Sequence, residues 1–251
     1  MASTGCAGCT VIKRRVGLAA ALVLACSGPA GVGASAATPA RPPNADPAFP
    51  FSNEIEAFAK ADAADPPIRD ATLFLGSSSI RLWDIAGSFR GIGTVNRGFG
   101  GATTPHMLHY YERLLPPVPP RAVVVYVGEN DLAAGASPER VARDVTTLLG
   151  RLRADYPRAH IAYLCLKPSP IRWTLWPRMQ MVNRLVERHA ASRRISYLDG
   201  GRVLLAPDGL PDASLFRADG LHMNARGYER WTRLVNQWLD GLPRSSDRRT
   251  S

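Results

Sequence analysis

The chain has 251 residues, of which 45% are hydrophobic and 21% are charged, and its formal net charge is +10. This length and hydrophobic content favour one α/β domain with a sizeable core. The positive charge comes mainly from arginines scattered along helical segments without interleaved aromatic residues, which argues against a nucleic-acid partner. Three of the four cysteines fall within the first 26 residues, which excludes a disulfide framework in the folded domain.

The first 36 residues have the pattern of an export signal. Basic residues 13–15 precede the apolar run 16–25, and the small residues 34–36 offer a cleavage site. The apolar run is too short to span a bilayer. Cys26 follows a loose lipoprotein-type motif, which leaves a lipid anchor open as an alternative. We therefore expect an exported protein, periplasmic or secreted, with no stable membrane insertion beyond such an anchor.

Composition also sets the expected limits of the folded domain. Residues 37–52 are rich in proline and alanine and are predicted to form a flexible tether. Residues 53–242 are predicted to form the single folded domain, and residues 243–251 a disordered tail.

The predicted elements of this domain alternate between helices and strands. Ala122–Val127 is the clearest strand, because a continuous β-branched run is typical of a parallel strand covered on both faces. The predicted strands are 71–75, 92–96, 122–127, 160–166 and 195–198. The predicted helices are 53–63, 104–115, 138–155, 176–192 and 225–239. This alternation predicts a three-layer α/β/α sandwich whose five-stranded parallel sheet has the flavodoxin-like order 2-1-3-4-5.

Polar and glycine-rich turns follow the first three predicted strands. Gly76 leads into three serines, residues 77–79, while Gly101 follows the second strand and Asn130 the third. In the order 2-1-3 these turns share one crevice, where open α/β sheets bind their ligands. One serine hydroxyl is a candidate nucleophile, and the Gly101 N–H and the Asn130 amide can face an oxyanion beside it.

A serine nucleophile also needs a base, and the candidate lies far along the chain. Asp219 precedes His222 by three residues, so its carboxylate can orient the imidazole. The irregular segment 199–223 is long enough to return across the sheet to the first strand.

The order Gly-x-Ser, Gly, Gly-x-Asn-Asp and Asp-x-x-His resembles the SGNH hydrolases, also called the GDSL esterase and lipase family. The resemblance covers about residues 71–239 and is most specific in blocks 128–131 and 219–222. It implies serine-dependent hydrolysis of carboxylic esters through an acyl-enzyme, with no metal or organic cofactor. The expected substrate is a small-molecule, glycan or lipid ester.

The resemblance also implies roles for individual residues. Ser78 is implied as the nucleophile, His222 as the base and Asp219 as its orienting partner. The implied oxyanion hole consists of Ser78, Gly101 and Asn130. Ser77 stands where the family usually has aspartate, which leaves the neighbouring serines 77 and 79 open as alternative nucleophiles.

Three other functions remain open from the sequence. His106 and His109 lie three residues apart on a predicted helix, where both can face a metal ion together with Asp219 or His222. The same acyl-enzyme chemistry also serves an O-acyltransferase, or a carbohydrate O-acetylesterase acting on cell-envelope or plant polysaccharide. A non-catalytic envelope-binding protein on the same scaffold is the third alternative.

Overall fold

A five-stranded parallel sheet forms the middle layer of the fold in the computed structural model, which describes residues 49–243. The sheet order is β2-β1-β3-β4-β5, and every neighbouring pair is parallel. The predicted fold class and strand order are therefore confirmed. The strands are β1 Thr72–Gly76, β2 Thr94–Gly98, β3 Ala122–Tyr126, β4 His160–Leu164 and β5 Ile195–Leu198.

Burial along the strands explains this order. Every residue of β1 and β3 is buried, as expected for central strands covered by helices on both faces. The edge strands β2 and β5 each contain partly exposed positions. The helices are α1 Ser52–Ala64, α2 Ser78–Arg81, α3 Ile85–Ser88, α4 Thr104–His109, α5 Tyr111–Leu114, α6 Glu129–Ala133, α7 Pro138–Asp155, α8 Trp176–Ala191 and α9 Ala225–Asp240.

Several elements differ from the sequence prediction for local reasons. The helix predicted over 104–115 is divided into α4 and α5 at Tyr110, whose hydroxyl donates a hydrogen bond to the Phe49 carbonyl. β2 begins at Thr94 rather than residue 92, and the Gly93 carbonyl just before it accepts from the Thr72 N–H of β1 at 2.8 Å. Helices α2, α3 and α6 are too short to produce a helical sequence period, so they were not predicted.

The boundary predicted between tether and domain needs a correction. The tether was expected to extend to residue 52, but Phe49 and Phe51 already pack against the hydrophobic core, and α1 begins at Ser52. Phe51 contacts Phe99 with ring centroids 4.9 Å apart. The predicted export signal, Cys26 and residues 37–48 lie outside the described residues, as do residues 244–251 of the predicted tail.

Within residues 49–243, no helix has both the length and the apolar character needed to cross a bilayer.

A close approach between β2 and α2 places the start of α2 at the end of the sheet. A methyl group on Gly98 would lie 2.2 Å from the Arg81 backbone nitrogen, so only glycine allows this contact. Asn96 Nδ2 also donates to the Ile80 carbonyl at 3.1 Å. The final helix supports α2 from another side, since the Tyr228 hydroxyl donates to the Ser79 carbonyl at 3.0 Å. Helix α2 is therefore fixed on two sides.

We expect Gly98→Ala to lower the free energy of unfolding by about 1–3 kcal/mol, because the added methyl group overpacks the contact with α2. Gly150 is the matched control, because it lies within α7 and a methyl group there meets no atom within 4 Å. Gly150→Ala should raise stability by about 0.5–1 kcal/mol. Urea denaturation of both variants measures the two effects, and an unchanged stability of Gly98→Ala would contradict the packing account.

Candidate active site

The serine turn after β1 presents one of its three hydroxyls. Ser77 is the residue before α2 and Ser78 is its first residue. Ser77 and Ser79 are only 4% and 3% exposed, whereas Ser78 is partly exposed. Of the three serines considered from the sequence, Ser78 is therefore the one accessible to a ligand.

His222 lies directly against this hydroxyl. Its Nε2 is 3.0 Å from Ser78 Oγ, and its Nδ1 is 2.7 Å from Asp219 Oδ2. A carboxylate can only accept, so the ring nitrogen facing Asp219 carries the hydrogen and Nε2 presents its lone pair to the serine. The three residues that the sequence placed together are thus in hydrogen-bond contact, in a geometry suited to removing the serine proton.

Asp219 has two tasks in the loop that carries His222. Its Oδ1 accepts from the backbone N–H groups of Leu221 and His222, both at 2.9 Å, and so shapes the turn. The hydrogen bond from the His222 ring, followed by these backbone hydrogen bonds, holds the Asp219 pKa well below its usual range. The loop is closed at its base by a bridge between Phe216 and Met223. Asp219, whose side chain is 46% exposed, is therefore ionised at neutral pH.

Three hydrogen-bond donors surround the serine turn. Gly76 pairs with Gly98 on one side and with Tyr126 on the other, so the turns after β2 and β3 leave the sheet beside Ser78. Gly101 has φ +77°, a backbone conformation that favours glycine. Among residues 49–243, the N–H groups of Ser78 and Gly101 have no acceptor.

The third donor is the side-chain amide of Asn130, in α6. Its Nδ2 donates one hydrogen to the Ala102 carbonyl at 3.0 Å. The second hydrogen has no acceptor in the described part of the chain. The predicted oxyanion-hole donors therefore come from three adjacent turns, and each has an N–H available for a ligand.

The glycine turn is fixed by a residue that the sequence analysis did not single out. Asp131 is 4% exposed, and its two carboxylate oxygens accept from the Thr104 backbone N–H at 2.9 and 3.1 Å. These bonds tie the segment after Gly101 to α6. Burial raises the pKa of Asp131, although the bonds from Thr104 oppose this effect.

A group of buried charges lies beside Asn130 and was also missed. Glu129 Oε2 is 3.3 Å from Lys167 Nζ, and Glu129 Oε1 is 3.1 Å from Arg172 Nη1. The Tyr126 hydroxyl donates to the same carboxylate. Burial by itself would raise the Glu129 pKa, but Lys167 and Arg172 outweigh it and the pKa is lowered. Glu129 is therefore an anion held between two cations.

A sequence signal for this pair exists. Glu129 follows Tyr126, the last residue of β3, and Lys167 follows Leu164, the last residue of β4, by the same number of residues. β3 and β4 are neighbours in the predicted order, so opposite charges at matching positions after them indicate an ion pair.

The metal-site alternative does not match the positions of the two histidines. His106 Nδ1 accepts from the Thr103 backbone N–H at 3.1 Å, at the start of α4. The His109 ring stacks on Phe49 with centroids 3.7 Å apart. Within residues 49–243, no three His, Cys, Asp or Glu side chains are placed to hold a metal ion. Both histidines instead contact the aromatic side chains around the amino-terminal segment.

Asp131 makes the free energy of unfolding depend on pH, with a contribution that is larger at low pH. Because its pKa is raised in the folded state, the folded protein binds the proton more tightly than the unfolded chain. The resulting stability is greatest below the unfolded value, about 3.9, and is lost as the pH rises through the folded value. We expect the unfolding free energy of the wild type, relative to Asp131→Asn, to increase when urea denaturation is moved from pH 7 towards about pH 4. A constant or decreasing difference would contradict this assignment.

The sequence also matches a known protein family. The profile of the GDSL-like Lipase/Acylhydrolase family matches residues 82–230, which include Gly101, Asn130, Asp219 and His222 and begin just after Ser78. No curated protein matches the sequence.

Solved structures share the fold at low sequence identity. A protein from Streptococcus pneumonia, provisionally described as a platelet activating factor, has a TM-score of 0.67 at 18% identity, over 74% of this chain and 92% of the other. A GDSL-like lipase from Bacteroides thetaiotaomicron has a TM-score of 0.62 at 18% identity, over 74% and 97%.

An acetyl-xylooligosaccharide esterase from Geobacillus Stearmophilus is similar as well, with a TM-score of 0.57 at 17% identity, over 69% of this chain and 95% of the other. Identities this low show a shared fold, whereas the family profile matches more than half of the chain. The chain therefore belongs to the GDSL-like lipase/acylhydrolase family, as its resemblance to the SGNH hydrolases indicated.

Proposed function

We propose that this family member is a serine esterase, which hydrolyses carboxylic esters through an acyl-enzyme on Ser78. The observation that carries the proposal is the 3.0 Å contact between Ser78 Oγ and His222 Nε2. A serine hydroxyl is a weak nucleophile until an adjacent base takes its proton. His222 is such a base, and Asp219 holds its ring in the tautomer that the reaction needs.

In the first half of the reaction, Ser78 Oγ attacks the ester carbonyl carbon while its proton moves to His222 Nε2. The imidazolium that forms is stabilised by the ionised Asp219, and it gives the proton to the departing alcohol. In the second half, the neutral imidazole takes a proton from water, which attacks the acyl carbonyl carbon. The imidazolium then returns this proton to Ser78 Oγ as the bond from Oγ to the acyl carbon breaks, so the carboxylic acid leaves and the Ser78 hydroxyl is restored.

Both halves pass through a tetrahedral intermediate with a negatively charged oxygen. The N–H groups of Ser78 and Gly101 and the side-chain amide of Asn130 are proposed to donate hydrogen bonds to this oxygen. Donors that are already in place stabilise the developing charge without reorganising, and each contributes about a hundredfold or more to kcat. The Asp131 contact to Thr104 supports the glycine turn that supplies one of these donors.

We propose esters of short acyl groups as the substrates. One residue, Ser77, separates β1 from α2, and only residues 127 and 128 separate β3 from α6, so neither turn is long enough to cover the serine. Acyl carbons far from the carbonyl would then stay in water and add little binding energy.

Removal of acetyl groups from carbohydrate is a second candidate, because an open cleft admits a polymer and an acetyl-xylooligosaccharide esterase shares this fold. Release of acetate from acetylated xylooligosaccharides would support it. Transfer of the acyl group to an added sugar, with little free acid, would instead identify an acyltransferase.

We expect Ser78→Ala to reduce kcat for 4-nitrophenyl acetate by about a thousandfold or more, because the acyl-enzyme can no longer form. Ser77→Ala and Ser79→Ala are the matched controls, since both side chains are buried and neither touches His222. Circular dichroism should be the same for all four proteins. Full activity of Ser78→Ala, or loss of activity only in a neighbouring variant, would reject the assignment of Ser78.

A series of 4-nitrophenyl esters from acetyl to decanoyl tests the open cleft. We expect kcat/KM to stay level or fall as the acyl chain grows. If a hidden apolar site accepted the chain, each added methylene would contribute about 0.8 kcal/mol, close to a fourfold gain in kcat/KM. Such a steady rise would contradict a preference for short acyl groups.

A further inference from the structure

The group of charges formed by Glu129, Lys167 and Arg172 contacts two parts of the candidate active site, which are Asn130 and the loop that carries His222. Arg172 Nη1 donates to Glu129 Oε1 at 3.1 Å and to Asn130 Oδ1 at 3.0 Å. Lys167 Nζ, which is fully buried, lies 3.3 Å from Glu129 Oε2 and donates to the Leu221 carbonyl at 3.0 Å. The Glu129 carboxylate therefore lies between two cations. Arg172 contacts Asn130 of the proposed oxyanion hole, and Lys167 contacts the loop that carries His222.

The contact from Arg172 fixes which way the Asn130 amide points. An amide has an acceptor end and a donor end, and the two are easily exchanged by rotating the group. In the observed orientation Oδ1 accepts from Arg172 and Nδ2 donates to the Ala102 carbonyl. Rotation would place the NH₂ group against the guanidinium and the oxygen against a carbonyl, so both contacts would become repulsive. Arg172 thus keeps the free N–H of Asn130 available for a ligand oxygen.

The contact from Lys167 holds the loop that carries His222. Leu221 precedes His222, and its backbone N–H is one of the two held by Asp219 Oδ1. The peptide groups on both sides of Leu221 are therefore anchored, one through its N–H and the other through its carbonyl. This leaves the backbone entering His222 little freedom to move the ring away from Ser78.

We propose that Arg172, Glu129 and Lys167 are positioning residues of the esterase, with Arg172 orienting and polarising the Asn130 amide and Lys167 holding the His222 loop. This inference rests on the proposed ester hydrolysis. The positive guanidinium draws electron density towards Oδ1, which makes the opposite N–H of the amide a stronger donor. The benefit arises when charge develops on the substrate oxygen, so it belongs to kcat rather than to KM.

A double-mutant cycle separates this role from general support of the fold. Asn130→Ala should lower kcat about a hundredfold. Arg172→Met in the wild-type background should lower kcat by about tenfold to a hundredfold, with KM within about threefold. In the Asn130→Ala background, Arg172→Met should cost no more than about twofold further, because a residue that acts through Asn130 has nothing left to orient.

Two further variants keep the cycle interpretable. Arg178 is the matched control, because it is a partly buried arginine of α8 that donates to the Ala136 carbonyl at 2.8 Å, outside this group of charges. Arg178→Met should leave kcat unchanged. Arg172→Lys retains the charge but not the planar guanidinium and its fixed geometry, so it should recover part of the kcat lost in Arg172→Met.

The possible outcomes are distinct. If Arg172→Met costs the same factor with and without Asn130, or raises KM alone, Arg172 does not act through the amide and the proposal is wrong. An active wild type with additive losses rejects only this inference, whereas an inactive wild type rejects the proposed hydrolysis as well.

A second cycle tests the role of Lys167. Lys167→Met should lower kcat in the wild type and cost little further in the His222→Ala background. Additive losses there would reject the role of Lys167.

Discussion

The hydrogen bond between Ser78 and His222 is the constraint on which the candidate active site depends. It joins residues 144 positions apart, and it can form only because two separate features of the fold meet. Gly98 lets α2 sit against the end of β2, which fixes Ser78 at the carboxyl edge of the sheet. The segment after β5 then crosses back to α2 and presents His222 from a small loop closed by Phe216 and Met223. A change in either feature would separate the Ser78 hydroxyl from the His222 ring.

The carboxyl edge of the sheet also concentrates charge. Glu129 and Lys167 follow neighbouring strands and are 4% and 0% exposed, so each would be costly to bury without the other. Hydrogen bonds from Tyr126 and Arg172 occupy further acceptor positions of Glu129. A buried ion pair is weak evidence for added stability, because desolvation offsets much of the attraction. The two cations around Glu129 also contact the site, because Lys167 donates to the Leu221 carbonyl and Arg172 donates to Asn130 Oδ1.

Sequence reasoning predicted the parallel sheet, its order and the turns that meet at Ser78, because buried strands and short motifs after them leave strong local patterns. It did not resolve which of the serines 77–79 is accessible, since that depends on how α2 packs against Gly98. It also placed Asn130 in a turn after the third strand, because the five-residue helix that carries Asn130 is too short to show a period. Glu129 and Lys167 stand at matching positions after neighbouring strands. The contacts of Arg172 with Asn130 and of Lys167 with Leu221, however, depend on the paths of the loops after β4 and β5, which no local pattern specifies. The packing of Phe49 against the domain was missed because its partners, Tyr110 and His109, lie far along the chain.

We infer that the folded chain turns one ordinary hydroxyl, that of Ser78, into a nucleophile by placing it against His222. The most direct measurement is to treat the folded protein with a serine-directed fluorophosphonate and to identify the modified residue by peptide mass spectrometry. We expect one adduct, on Ser78, which forms far more slowly in His222→Ala. An adduct on Ser77 or Ser79 instead, or no adduct on a correctly folded wild type, would contradict it.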